Sequence, residues 1–242
     1  MKFVALIPAR LGSSRLPNKM MALLADKPVI VHTALAVKAS RLFDEVIVVC
    51  DSTVIADVAE AAGIKAMISK KEHASGTDRI AEAAAGIDAD VFINVQGDEP
   101  FMQLELLQKI ITVFEQDATN EVDIASPMRV ITDEADIHNP NVVKVVVDRN
   151  MNALYFSRSP IPYLRDADVT TTYYRHVGVY AFRKQTLLRF ASLDETPLEK
   201  AEKLENLRML EHGMRVRMVI TDYSGIGIDT KEDLEKARNI IQ

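Results

Sequence analysis

The chain has 242 residues, 48% of them hydrophobic and 26% charged, with a formal net charge of −6. That length supports one large α/β domain, 1–242, with or without a small inserted lobe, and the acidic balance excludes broad binding to nucleic acid or anionic membranes. A single cysteine, Cys50, excludes an intrachain disulfide and suits a reducing compartment, and no apolar run approaches the ~18 residues of a membrane span.

The first element is an apolar run, 3–7, that reads as a strand. It is too short for the apolar region of a secretory signal, so a cytoplasmic protein is expected. After Pro8 and Ala9 comes a loop with Arg10, Arg15 and Lys19 spaced around Gly12, Ser13 and Ser14. Glycine frees the backbone to aim N–H groups at an anion, and the cations add fixed positive charge. The loop reads as a polyphosphate cradle, with a solvated basic loop as the alternative. It is not a Walker A loop, because G-x-x-x-x-G-K-[ST] is absent.

Apolar, β-branched runs at 45–50, 66–68 and 91–95 read as further buried strands, with Cys50 as a core residue. Between them lie helical patterns: one from Pro28 to 39, one at 54–62 capped by Ser52 and stopped by Gly63, one at 77–85, and one at 104–114. This alternation predicts an α/β fold with a doubly wound, mostly parallel sheet, whose ligands sit beyond the carboxyl ends of the strands. Two loops reach that edge. Ser75-Gly76-Thr77-Asp78-Arg79 offers hydroxyls, a helix N-terminus and a cation to a polar ligand, or is an ordinary N-cap. In Asn94-Val95-Gln96-Gly97-Asp98-Glu99-Pro100, a strand delivers Asp98 through a glycine, either to hold Mg²⁺ or to brace its own turn.

The second half reads as strands at 123–130, 141–148 and 153–157, a long loop at 159–174, and a strand at 176–182. An amphipathic helix follows at 197–211, then a strand at 216–220 and a last helix to 241 capped by Thr230 with Asp233. The 197–211 helix carries Glu199, Glu202, Glu205 and Asn206 on a polar face that suits a polyol, or is simply solvated. Asp229, after Gly225-Ile226-Gly227-Ile228, is a second lone carboxylate before a helix. With Asp98 it would make a Mg²⁺ site; the spacing leaves open whether they meet. The five histidines lack zinc-ligand spacing, and no G-x-S-x-G is present.

These motifs occur together in one order: Ile7-Pro8-Ala9-Arg10, Gly12 to Lys19, Ser75 to Arg79, Asn94 to Pro100, Asn139-Pro140-Asn141 before Val142 to Val146, Ala153 to Arg158, Arg175 to Tyr180, and Pro197-Leu198-Glu199 before Leu204 to Arg208. Over essentially its whole length the chain resembles the 3-deoxy-manno-octulosonate cytidylyltransferase (CMP-Kdo synthetase) family. The resemblance implies a nucleotide-diphospho-sugar transferase type of fold. It implies transfer of CMP from CTP to 3-deoxy-manno-octulosonate (Kdo) with Mg²⁺, for lipopolysaccharide synthesis, by a cytoplasmic homodimer. It also implies that Pro8, Ala9, Arg10, Arg15, Lys19, Ser75, Gly76, Thr77 and Arg79 surround the nucleotide, and that Asp98 and Asp229 hold the metal. Arg10, Arg15 and Lys19 would act with those carboxylates in catalysis. Gln96, Arg158, His176, Tyr180, Glu205 and Asn206 would line the sugar pocket.

The chain departs from the family pattern at Asn18, Met20 and Met21, where Leu-Pro-Gly-Lys-Pro-Leu is usual, and at Asn206, where Gln is usual. Asn18 tolerates positive φ, so the turn is expected to survive. Two other readings are distinct: a cytidylyltransferase for another acid sugar, such as 8-amino-Kdo or sialic acid, and a nucleotide-binding regulator without catalysis.

Overall fold

The computed structural model of the chain describes residues 1–13, 15–166, 168–225 and 227–241. In chain order its strands are β1 (Phe3–Ala9), β2 (Leu23–Leu24), β3 (Lys27–Pro28), β4 (Glu45–Cys50), β5 (Lys65–Ile68), β6 (Val91–Asn94), β7 (Ile124–Val130), β8 (Lys144–Val147), β9 (Ala153–Ser157), β10 (Tyr174–His176), β11 (Tyr180–Arg183) and β12 (Val216–Ile220). The helices are α1 (Val29–Ala39), α2 (Thr53–Ala61), α3 (Gly76–Ala85), α4 (Leu104–Gln116), α5 (Glu134–His138), α6 (Lys184–Ala191), α7 (Pro197–Glu202), α8 (Glu205–Glu211) and α9 (Lys231–Ile241). The chain divides into two compact units. The first comprises Met1–Gln108, Arg183–Ala191 and Ser224–Gln242, and the second Lys109–Phe182 and Ser192–Tyr223.

The first unit is built on four parallel strands. β1 pairs β4 on one side and β6 on the other, and β4 pairs β5. All seven residues of β1 are buried, as a strand flanked on both edges requires. The chain steps outward from β1 through β4 to β5, then returns across to β6. The strand order therefore reverses between β1 and β6, and the crevice outside their carboxyl ends is where such sheets take ligands. The basic loop leaves the end of β1 and Asp98 follows the end of β6, so both expected ligand loops stand at this reversal.

Local chemistry sets the helix ends in this unit. Ser52 caps α2 by accepting the N–H of Val54 at 3.1 Å, and Ser75 caps α3 by accepting that of Asp78 at 3.1 Å. Thr230 and Asp233 exchange reciprocal bonds at the start of α9, at 3.1 and 3.0 Å. Pro28 is the N-cap of α1 rather than its first helical residue; at φ −58°, ψ 147° it is extended. β1 runs through Pro8, whose fixed φ is compatible with extended backbone. The short β2–β3 hairpin and α6 add elements that the sequence pattern does not signal.

The second unit is mixed. β7 pairs β10 and β11 antiparallel and β12 parallel; β10 pairs β8, and β8 pairs β9, both antiparallel. Two expected elements are each split here. The strand expected at 176–182 is β10 and β11, interrupted where the N–H of Val177 bonds the carbonyl of Pro127 and that of Val179 bonds the carbonyl of Val177. The helix expected at 197–211 is α7 and α8, broken at Lys203, which is left-handed at φ 54°, and at extended Leu204. The break has a partner in Arg158. Its guanidinium donates to the carbonyls of Glu202 at 2.7 Å and Lys203 at 3.4 Å, satisfying groups that a continuing helix would have bonded itself. Residues 158–173 form no regular element among those described, as expected of the long loop.

Candidate active site

Lys19 is aimed by the turn before it. Asn18 is left-handed at φ 53°, ψ 34°, and the N–H of Met21 bonds its carbonyl at 2.8 Å. Asparagine is among the few side chains that take this conformation readily, so the turn survives without the family's usual glycine. Ser14 lies outside the described residues.

The ammonium of Lys19 donates to Asp98 Oδ2 at 2.5 Å and to Asp229 Oδ1 at 2.8 Å, and Arg15 pairs with Asp229 Oδ2 at 3.0 Å. The two carboxylates, 131 positions apart in sequence, therefore meet at one point. Packing brings them there. Leu16, beside the cradle, and Ile228, beside Asp229, are buried in one cluster with Leu24, Val29, Leu234 and Ala237. The N–H of Ile228 also bonds the Asp98 carbonyl at 2.9 Å. Gly97 approaches β1 so closely that a Cβ there would lie 2.9 Å from the Pro8 carbonyl oxygen and 3.0 Å from Ile30 Cδ1; glycine is the residue that fits. Burial alone would push the Lys19 ammonium down, but Asp98 and Asp229 outweigh it and raise its pKa above the usual value. Lys19 is thus charged throughout the neutral range.

A cavity of about 260 Å³ opens beside this group. Its walls include Pro8, Ala9, Arg10, Lys19, Ser75, Gly76, Arg79, Gln96 and Asp98, so most of the expected nucleotide residues share one space. Thr77 is buried beneath it, its hydroxyl accepting from Asn94 Nδ2 at 3.3 Å, which makes it a support rather than a wall. Arg15 reaches the group through Asp229 instead. His73 lines the cavity and was not singled out from the sequence. Its ring is held at 2.8 Å from Glu82 of α3. The one signal for it was its place two residues before the Ser75 cap.

The expected sugar residues Arg158, His176, Tyr180, Glu205 and Asn206 belong to the second unit, whereas Gln96 belongs to the first. His176 lies against Phe156 and Tyr180, with ring centroids 5.2 Å away in each case. Its Nε2 is 2.9 Å from Ser126 Oγ, and that hydroxyl donates to the Val179 carbonyl at 2.8 Å, so Nε2 carries the proton and Nδ1 is an acceptor. Burial lowers the His176 pKa to about 3; the ring is neutral and supplies no charge to an acid sugar. Burial and Glu205 raise Tyr180 well above its usual value, with a hydrogen bond from the Asn206 side chain acting against them. Asn206 is buried, and its Oδ1 has no partner among the described residues, an acceptor left open. The Arg158 guanidinium bonds three backbone carbonyls, including that of Pro140 at 2.8 Å, and works on the protein's own loops.

His176 carries a pH prediction. Above about pH 6.5 it is neutral in both folded and unfolded chains. As pH falls the unfolded imidazole takes a proton, while the folded one resists until about 3. Its stabilising contribution is therefore complete above pH 6.5 and declines towards pH 3, by about 1.4 kcal/mol per pH unit. Urea midpoints of His176→Gln should fall less steeply than wild type between pH 6.5 and 4; equal slopes would contradict the assignment.

A family model described as cytidylyltransferase matches residues 4–216. The chain is 53% identical over 242 residues to a 3-deoxy-manno-octulosonate cytidylyltransferase from Flavobacterium johnsoniae, covering 100% of this chain and 99% of that protein. It is 49% identical over 240 residues to one from Christiangramia forsetii, covering 99% and 97%. Among solved structures, CMP:2-keto-3-deoxy-manno-octonic acid synthetase complexed with CTP superposes with a TM-score of 0.94 at 38% identity, covering 100% of this chain and 98% of that one.

Proposed function

The chain belongs to the 3-deoxy-manno-octulosonate cytidylyltransferase family, and from that premise we propose that it transfers CMP from CTP to the anomeric hydroxyl of Kdo, releasing diphosphate and feeding lipopolysaccharide synthesis. The observation that carries the reading at the level of residues is the convergence of Lys19, Arg15, Asp98 and Asp229 beside a cavity walled by Arg10, Ser75 and Gly76.

The anomeric oxygen attacks the α-phosphorus, the bond from that phosphorus to the diphosphate oxygen breaks, and the hydroxyl proton leaves to water. Both reactants are anions, so repulsion is the central difficulty. Arg10, Arg15 and Lys19 offset it and stabilise the charge that accumulates on the departing diphosphate. Gly76, at the start of α3, offers the nucleotide the N–H groups of a helix N-terminus, while the Ser75 hydroxyl donates to Asp78 Oδ2 at 2.9 Å and holds that turn. Asp98 and Asp229 fit Mg²⁺ by donor type: both carry hard carboxylate oxygens and are brought together around Lys19 Nζ, and this ion completes its shell with phosphates and water. Mg²⁺, when bound, would neutralise phosphate charge. In the sugar pocket Asn206 Oδ1 accepts from a hydroxyl of the acid sugar, and His176 and Tyr180 present neutral hydrogen-bonding edges.

We assign the active protein to the cytoplasm as a homodimer. The exposed Leu154 of β9, in the segment the resemblance puts near a partner, is consistent with the dimer, which light scattering tests.

Purified protein with CTP, Mg²⁺ and a panel of Kdo, 8-amino-Kdo and sialic acid, read by diphosphate release, tests the function. Release is expected with Kdo at the lowest sugar concentration. CTP binding without release from any sugar would replace this reading with that of a regulator.

A further inference from the structure

Asp51 stands just past β4, outside the nucleotide cavity, and no step above uses it. Its carboxylate makes two contacts. Oδ1 accepts the N–H of Leu11, in the basic loop, at 3.1 Å, and Oδ2 lies 3.7 Å from the Arg79 guanidinium. Another nitrogen of Arg79 donates to Ser69 Oγ at 2.6 Å. The Arg79 side chain is only 6% exposed, whereas that of Asp51 is 32% exposed.

The basic loop needs such an anchor. A Cβ built on Gly12 would meet nothing within 4 Å, so side-chain packing does not hold the loop at that point. Yet a loop that cradles phosphate works only if its N–H groups keep a defined aim. A bare carboxylate near a triphosphate is a liability, because like charges repel. Its place beside Arg79, whose charge offsets it, calls for a reason.

We infer that Asp51 is a positioning residue for the phosphate loop: it clamps the loop backbone at Leu11, and Arg79 both steadies the carboxylate and cancels its charge. The inference rests on the proposed CTP reading. It also changes the part given to Arg79, which acts on phosphate through Asp51 and the loop as well as from the cavity wall. The two views of Asp51 differ in sign. A surface acid near the phosphates, once removed, leaves CTP binding unchanged or tighter. A clamp, once removed, weakens it.

The test uses the full chain without divalent metal and measures binding of CTP and of cytidine by calorimetry. Asp51→Ala should weaken CTP about 10-fold while leaving cytidine within about 2-fold, since the clamp serves phosphate alone. Asp51→Asn retains an oxygen that accepts the Leu11 N–H and should stay within about 3-fold of wild type. Should Asp51→Ala prove unfolded by circular dichroism, Asp51→Ser, too short to reach Leu11, carries the same expectation. CTP bound as tightly or more tightly by the truncated variant overturns the inference. So does an equal loss for CTP and cytidine, which marks general damage, or an Asp51→Asn as impaired as the truncation. Failure of wild type to bind CTP would instead sink the CTP reading and this inference with it.

Discussion

Asp98→Asn is expected to lower diphosphate release by about 10²-fold or more, the scale of losing one preorganised electrostatic group. The substitution is nearly isosteric, and the backbone around it is fixed from several sides. Ile228 N–H holds the Asp98 carbonyl, and Gly97 is wedged against Pro8 and Ile30. The amide therefore stands where the carboxylate stood, and what is lost is charge. Circular dichroism and melting should change little, because Lys19 keeps Asp229 as a partner. The deficit should persist at saturating CTP and Kdo, marking an interaction made chiefly in the transition state. Turnover at the normal rate with Mg²⁺ would remove Asp98 from the metal site.

Much of the first unit was legible from local signals because β1 and β6 are buried along their whole length and α2, α3 and α9 open on side-chain caps; β5 follows the same apolar pattern although none of its residues is buried. Ser52, Ser75 and the Thr230–Asp233 pair each mark a boundary within a residue or so of where it falls. The alternation implies a parallel sheet, and with it a ligand edge at the carboxyl ends of the strands. What the spacing left open was whether Asp98 and Asp229 share a point. That depends on Leu16 and Ile228 entering one apolar cluster, a pairing across more than two hundred positions that no local pattern records. His73 was missed for a similar reason. Its orientation comes from Glu82 on the following helix, and its place two residues before the Ser75 cap says nothing of which way the ring points.

The second unit was less legible because tertiary contacts override its local periodicity. Leu198, Ala201, Leu204 and Leu207 keep helical spacing straight through Lys203, yet the helix breaks there. Arg158, far back in the chain, takes the carbonyls of Glu202 and Lys203, while the Glu202 carboxylate accepts from Ser157 Oγ at 2.7 Å and from the Arg158 N–H at 2.8 Å. The break starts a new helix at Glu205 and puts Asn206 in its first turn, buried beside Tyr180. Arg158 was expected in the sugar pocket through resemblance. Its guanidinium bonds instead go to backbone carbonyls, two of them at the end of α7, which α8 follows.

Lys19→Met should be as damaging as the loss of Asp98 or more so, with turnover down about 10²- to 10³-fold, as expected for a cation placed against transferring phosphate. Methionine keeps much of the apolar stem and removes the charge. Two consequences combine. The triphosphate loses a cation whose charged state is secured by Asp98 and Asp229, and those carboxylates lose the ammonium that offsets their repulsion. Arg15 remains on Asp229 Oδ2 and relieves that side alone, so Asp98 bears the greater change. Lys19→Arg is not expected to rescue. The lysine side chain is only 11% exposed, and a planar guanidinium does not reproduce a point charge shared by two carboxylates. Because Lys19 and Asp98 are in direct contact, the double variant Lys19→Met/Asp98→Asn should lose much less than the product of the single effects. Steady-state diphosphate release across CTP concentrations decides the matter. If Lys19→Met stays within about 10-fold of wild type, or if the two losses multiply, the four charged groups do not act as one electrostatic unit.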